Sequence, residues 1–322
     1  MDTVRIIDKH RLYDRFATGQ AMQGPLMRAL LDNAAGGPVL QPGARIGPWK
    51  VLELLGSGGM SNVYLAERCD GAFEQQVALK LVRRNADLIH RLRHERQLIA
   101  HLRHPHIVSL IDSDETAEGD LWLAMGLVEG VPIDLYAQQN RLDWRARIRL
   151  VDAVCAAVEY AHGRGLIHRD IKPANVLVDG QGHPRLLDFG IALEQGAAKA
   201  PDHALTPGFA APEQYHNRER LGPWTDIYSV GASLYACLAG YPPQAADARL
   251  LNDKLVPAAV NWRGAYSDQL LQTIDHCLKL NYMERPQSVF SLQKVLMDRS
   301  ALEPKRGSLL GSLKRTLGRD LF

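Results

Sequence analysis

The sequence predicts an α+β protein in two lobes, a small β-rich N-terminal lobe with one helix and a larger, mainly α-helical C-terminal lobe. Three observations lead there. Short runs rich in β-branched and aromatic residues, broken by glycine and polar turns, fill residues 49–125. Beyond Glu129-Gly130 the apolar residues recur at helical spacing instead. The 322 residues, 46% hydrophobic and 23% charged, suit a globular protein with a substantial core.

Residues 1–47 read as an appendage and linker. Val4, Ile7, Leu12 and Phe16, then Leu26, Met27, Leu30 and Leu31, make two short apolar stripes before Gly36-Gly37-Pro38 and Gln41-Pro42-Gly43 break the pattern. The main domain is expected over about 48–300. Its first lobe, to about 128, holds strands at Trp49–Leu55, Val63–Arg68, Gln76–Val82, Ile107–Asp112 and Leu121–Met125. One helix, Arg91–Leu102, interrupts them and ends at His104-Pro105. The second lobe, about 129–300, carries helices at Leu142–Arg164, Trp224–Ala239 and Asp268–Leu280. The first of these places Ile148, Val151, Cys155 and Val158 on one face. In the tail, 301–322, Leu309, Leu313, Leu317 and Leu321 recur every four residues beside Lys314, Arg315 and Arg319. A basic amphipathic helix there leaves the reading open: a weak contact with a membrane surface or partner, or a tail that packs on the main domain or frays in solution.

Charge excludes some partners. A net charge of +2, from 38 basic and 36 acidic residues, gives no electrostatic footprint for nucleic acid. No run approaches the ~20 consecutive apolar residues of a transmembrane helix. The start, Met1-Asp2-Thr3-Val4-Arg5, lacks the apolar core of a secretory signal. Cys69, Cys155, Cys237 and Cys277 are scattered and form no Cys-x-x-Cys pair, so they read as reduced structural thiols. A cytoplasmic location is expected.

Four motifs carry chemistry. Gly56-Ser57-Gly58-Gly59 allows a tight turn whose backbone N–H groups can approach phosphate oxygens without a Cβ clash. Alone it would also suit a plain hairpin. Val77-Ala78-Leu79-Lys80 puts a lysine on a strand. His168-Arg169-Asp170-Ile171-Lys172-Pro173-Ala174-Asn175 packs a candidate base, a cation and a metal ligand into one loop. Asp188-Phe189-Gly190 follows, and Asn175 and Asp188 both offer the hard oxygens that Mg2+ takes. In this order and spacing the set resembles Ser/Thr protein kinases of the eukaryotic-like (Hanks-type) family, and its wording is most similar to bacterial members. The resemblance covers about residues 49–300.

That resemblance implies the bilobal protein-kinase fold, with ATP and Mg2+ as cofactors and Ser or Thr hydroxyls of protein substrates as acceptors. Gly56, Ser57, Gly58 and Gly59 would cover the phosphates, with Ser61 standing where the family has a third glycine. Lys80 would contact the α- and β-phosphates and pair with Glu95, across an unusually short connection. Val63, Ala78 and Leu177 would sandwich the adenine, with Met125 behind it, although Met125 also suits simple core. Asp170 would accept or orient the hydroxyl proton, and Asn175 and Asp188 would hold the metal. Lys172 and Thr206-Pro207 match the pattern of Ser/Thr rather than Tyr kinases. Glu213 of Ala211-Pro212-Glu213 would pair with Arg285, and Asp226 would anchor the catalytic-loop backbone.

Between Gly190 and Ala211 the only hydroxyl is that of Thr206, already assigned to substrate alignment. Asp202 stands where the family usually carries a phosphorylated residue. Its carboxylate could pair with Arg169 and order the segment without phosphate, or be merely solvated. Many bacterial members continue into a membrane-spanning helix and a sensor domain; this chain ends at Phe322 without either, and a soluble kinase is expected. A pseudokinase-like ATP-binding scaffold is the alternative. It predicts loss of Lys80, Asp170, Asn175 or Asp188, and all four are present. A small-molecule kinase would typically lack the Ala-Pro-Glu and Thr-Pro elements.

Overall fold

The computed structural model describes residues 39–57, 61–82, 98–187, 205–216 and 218–298, together with the backbone of 193–194. Gly58, Gly59, Glu95, Asp188, Asp202 and both termini lie outside the described residues. The chain divides into two compact units, one built on residues up to Val131 with Leu177–Arg185, the other on Pro132–Val176 and the remainder of the C-terminal part.

The first unit is a six-stranded sheet. Strands β1 (Arg45–Ile46), β2 (Trp49–Ser57), β3 (Ser61–Arg68), β4 (Gln76–Val82), β5 (Leu110–Glu115) and β6 (Leu121–Gly126) run in the order β1-β2-β3-β4-β6-β5. Every neighbouring pair is antiparallel. Alternation decides the faces: Tyr64 and Ala66 on β3 and Val77 and Leu79 on β4 are buried against Trp49, Val51, Trp122 and Ala124. The Tyr64 hydroxyl, inside this cluster, accepts from the Leu40 amide and from Asn62 Nδ2. Arg45 and Ile46, expected in the linker, form the outermost strand, with Leu40 and Ala44 packed on the same core. The edge strand β5 starts at Leu110 rather than Ile107. Ile107 is buried but stands outside the strand as an isolated bridge residue just after the turn at Pro105-His106, its N–H bonded to the His104 carbonyl.

Of the helix expected over 91–102, residues 98–100 are described and helical, and Leu102 just beyond them is 2% exposed. A small sheet of β7 (Gly130–Pro132), β9 (Val176–Asp179) and β10 (Pro184–Leu186) follows, ordered β10-β9-β7. Gly130 is required there, because a side chain would strike the Val178 carbonyl.

The second unit is helical. It contains α1 (Ile133–Gln139), α2 (Trp144–His162), α3 (Pro212–His216), α4 (Pro223–Ala239), α5 (Ala246–Leu251), α6 (Ala258–Asn261), α7 (Asp268–Cys277) and α8 (Val289–Leu296). Asp143 caps α2 by accepting from the Ala146 amide, and Ile148, Val151, Cys155 and Val158 form its buried stripe. Pro223 opens α4, and Gly240, at φ 79°, closes it in the left-handed conformation. Thr225 through Ala232 are all buried, so α4 is covered on every side and acts as the centre of this unit. Burial pushes the thiols of Cys155, Cys237 and Cys277 upward, the last to about 12, as expected of inert structural thiols.

The α4–α7 crossing depends on one missing side chain. A Cβ on Gly231 would overlap that of Cys277, which is itself fully buried. Gly231→Ala would gain about 1 kcal/mol of helix propensity. Overpacking costs about 1–3 kcal/mol, so a net loss of up to ~2 kcal/mol is expected as a lower urea midpoint. Combining it with Cys277→Gly should relieve the clash, and a raised midpoint in the single variant would contradict this packing account.

Candidate active site

Each unit gathers part of the predicted set. In the sheet, Val63 lies directly opposite Lys80, and Ala78 directly opposite both Leu65 and Met125. Paired residues share a face, as do positions two apart along one strand. The register therefore brings Val63, Ala78, Lys80 and Met125 onto one face, opposite the Tyr64–Leu79 core. Val63, Ala78 and Met125 are half-buried there, while Lys80 is 8% exposed. An ammonium this deep calls for an anionic neighbour. Gly56 and Ser57 end β2, where the Ser57 hydroxyl donates to Asn62 Oδ1 at 2.7 Å. Asn62, 3% exposed, also holds Tyr64, so the strands flanking the turn are tied into the core. Leu177 sits half-buried on β9.

The second unit builds the loop site. Strand β8 (Leu166–Ile167) pairs antiparallel with β11 (Leu193–Glu194) and delivers the chain to His168. Arg169 then adopts φ 70°, a left-handed conformation that costs a side-chain-bearing residue about 1–3 kcal/mol. The turn is held by Asp226 of α4. Its Oδ2 accepts from the His168 amide at 2.8 Å and its Oδ1 from the Arg169 amide at 2.7 Å. Full burial works against the Asp226 charge, but hydrogen bonding from His162, the charges of His162 and His168, and the Arg169 amide hold its carboxyl below the usual carboxylate range. Gln214 Nε2 donates to the Arg169 carbonyl at 2.9 Å, and the His168 ring meets the Leu187 carbonyl at 2.7 Å.

Asp170 emerges from this turn with both carboxylate oxygens engaged. Oδ1 accepts from the Thr206 hydroxyl at 2.7 Å and from Lys172 Nζ at 3.0 Å. Oδ2 accepts from Asn175 Nδ2 at 2.7 Å and lies 2.8 Å from Lys172 Nζ. Lys172 also donates to the Thr206 hydroxyl at 2.7 Å, closing a ring of three side chains. Asn175, 2% exposed in the turn Pro173–Asn175, donates a second time to the Asp170 carbonyl. Its amide nitrogen is thereby committed, which leaves its oxygen as the atom able to ligate a metal.

Around the loop, the expected Glu213–Arg285 pair is present, bidentate at 2.8 and 3.0 Å. Sequence reasoning missed Gln214 and His162. Neither lies in a periodic or glycine-rich signal, and both act across long sequence separations.

A sheet bearing a nearly buried strand lysine and a helical unit presenting a braced loop aspartate together make the protein kinase fold. The chain belongs to the protein kinase domain family, whose model matches residues 49–297. It is similar to the Serine/threonine-protein kinase PknD of Mycobacterium tuberculosis, at 35% identity over 65% of this chain and 32% of that protein. It is also similar to PknB of Mycolicibacterium smegmatis, 35% identical over 62% of this chain and 33% of the relative. PrkC of Bacillus subtilis is 34% identical over 62% and 32% respectively. The chain thus spans about a third of the length of the curated relatives it matches. Among solved structures, the apo form of PpkA-294 is 28% identical with a TM-score of 0.66, covering 80% of this chain and 99% of that one. No helix among the described residues is long and apolar enough to cross a membrane.

Proposed function

We propose that the chain is an ATP-dependent protein serine/threonine kinase, moving the γ-phosphoryl group of Mg-ATP to Ser or Thr hydroxyls of protein substrates. The observation that carries this reading is the closed ring of Asp170, Lys172 and Thr206. A carboxylate held this way can receive a hydroxyl proton while an ammonium beside it meets the negative charge of a phosphoryl group.

Lys80 and the backbone of Gly56–Gly59 would hold the triphosphate, with Val63, Ala78, Met125 and Leu177 offering apolar surface to the base. Glu95 would pair with Lys80. The metal would rest on Asn175 and Asp188, and the Asn175 amide, its nitrogen turned to Asp170, fits that role. Bound magnesium supplies charge neutralisation of the phosphate oxygens. Asp170 orients the acceptor hydroxyl and takes its proton as that oxygen attacks phosphorus and the bond to the bridging oxygen breaks. Lys172, the contact shared by both Asp170 oxygens, is the group placed to turn toward the transferred phosphate. Thr206 sets the acceptor against Asp170.

The same reading extends to regulation without activation-segment phosphorylation. Thr206 is the only hydroxyl between Gly190 and Ala211, and it is engaged with both Asp170 and Lys172. Asp202 is proposed to pair with Arg169 in place of a phosphate.

Mass spectrometry of the protein and a generic basic acceptor after incubation with Mg-ATP tests both statements. Phosphate on Ser or Thr with the wild type, absent with Asp170→Asn, is expected. Retained ATP binding with no transfer to any acceptor would favour the scaffold reading instead. Asp202→Ala should lower the rate of the unphosphorylated enzyme by about tenfold, the scale of one charge-assisted pair. An undiminished rate would remove Asp202 from regulation.

A further inference from the structure

The glycine-rich turn is fastened from behind by a buried polar relay. Ser57 Oγ donates to Asn62 Oδ1 at 2.7 Å, and Asn62 Nδ2 donates to the Tyr64 hydroxyl at 3.2 Å. The Leu40 amide donates to that same hydroxyl at 3.1 Å. A phenol oxygen offers two lone pairs, and these two donors occupy both. The Asn62 amide is thereby oriented: its nitrogen faces Tyr64, and its oxygen is left for Ser57. Asn62 and Tyr64 are buried and Leu40 packs on the same core, so the far end of the relay is fixed.

Register places the near end. Asn62 and Tyr64 flank Val63 on β3, so both point to the face opposite Val63, Ala78 and Lys80. Ser57 pairs directly with Asn62 and shares that face. A bulge makes this possible: Leu54 pairs with Tyr64 but Gly56 with Val63, which leaves Leu55 outside the β2–β3 pairing. Without that extra residue Gly56 would stand opposite Asn62, and it has no hydroxyl to give. The Ser57 hydroxyl therefore points away from the face assigned to the nucleotide, and what Ser57 can offer a phosphate is its backbone. We infer that Asn62 is a positioning residue for the nucleotide phosphates: through the Ser57 hydroxyl it fixes the Gly56-Ser57 backbone that leads into the phosphate turn. It rests on the reading of this sheet face as the nucleotide site.

Calorimetric titration of the full chain with Mg-ATP and, separately, with adenosine tests this. Asn62→Leu removes the bond at similar side-chain volume, and Ser57→Ala removes it from the exposed end. Each is expected to weaken Mg-ATP binding about 3- to 10-fold, the scale of one lost hydrogen bond, and to leave adenosine binding unchanged. The double variant should bind no more weakly than either single one, because all three lack the same bond. Ser57→Thr, which keeps the hydroxyl, should recover most of the lost affinity. Should Asn62→Leu fail to fold, Asn62→Ala takes its place in the cycle. Losses that add in the double variant would mean that the Ser57 hydroxyl acts on phosphate independently of Asn62, and would overturn the proposal. So would equal losses for Mg-ATP and adenosine, the mark of a merely weakened sheet, or variants that bind Mg-ATP as the wild type does. A wild type that binds no Mg-ATP would instead sink the nucleotide reading itself, and the proposal with it.

Discussion

Asp170→Asn is expected to lower kcat by about 10²- to 10⁴-fold, the contribution of a positioned general base. The substitution changes little in volume, and its effect follows from the donors around the side chain. Thr206 and Lys172 donate to one carboxylate oxygen, Asn175 and Lys172 to the other. An amide nitrogen at either position faces hydrogen-bond donors, so no rotation of the substituted side chain satisfies both sides. The variant loses its base and disturbs the ring at once. KM for Mg-ATP should change little, because the residues assigned to the nucleotide lie mainly on the sheet face of Val63, Ala78 and Lys80. Steady-state kinetics on a peptide acceptor checks this split. An asparagine variant keeping more than about a tenth of wild-type kcat would remove Asp170 from the proton-accepting role.

Much of this arrangement was legible from residue order. The alternation in β3 and β4 and the stripe of α2 are local, so periodicity finds them without knowledge of the fold. Motif order and spacing likewise pointed to the Asp170 loop, and the family resemblance they carry implied the Glu213–Arg285 pair. What escaped depended on tertiary placement. The two residues of β1 are too few to show a period. That strand exists because Gly47, at φ 54°, turns the chain back beside Trp122, where any side chain would meet the indole. The polar run Asp112-Ser113-Asp114-Glu115 has no strand-like texture, yet it continues β5, because an edge strand with one solvated side tolerates charge. Apolar Ile107 pulled the expected strand toward the N-terminus, although it is an isolated bridge residue separated from β5. His162 and Gln214 were invisible for another reason: their partners lie 64 and 45 residues away, and only the packing of α2, α3 and α4 brings them to the loop.

Arg285→Ala is expected to cost about 3–5 kcal/mol of stability, the scale of breaking a buried ion pair from one side. Arg285 is 3% exposed, and every guanidinium hydrogen has an acceptor. Nε donates to the Lys279 carbonyl, and the two terminal nitrogens to Glu213 and to the carbonyls of Trp224 and Leu280. The cation also lies over the Tyr228 ring, with 4.9 Å between the Cζ atom and the ring centroid. Removing it strands the Glu213 carboxylate, 5% exposed, with Thr225 as its remaining hydrogen-bond donor among the described residues. The damage would reach the site, because Glu213 stands in α3 directly after the Thr206–Ala211 stretch, and its neighbour Gln214 holds the Arg169 carbonyl. Urea denaturation should therefore show a large fall in midpoint, with lost activity even in the folded fraction. Replacing the pair together, Glu213→Leu with Arg285→Met, tests the origin of the effect. With no charge left stranded, stability should recover substantially, whereas activity should not, since an apolar contact lacks the bidentate geometry that orients α3. An Arg285→Ala variant with an unchanged midpoint would mean that the pair is dispensable and that α3 is held by other contacts.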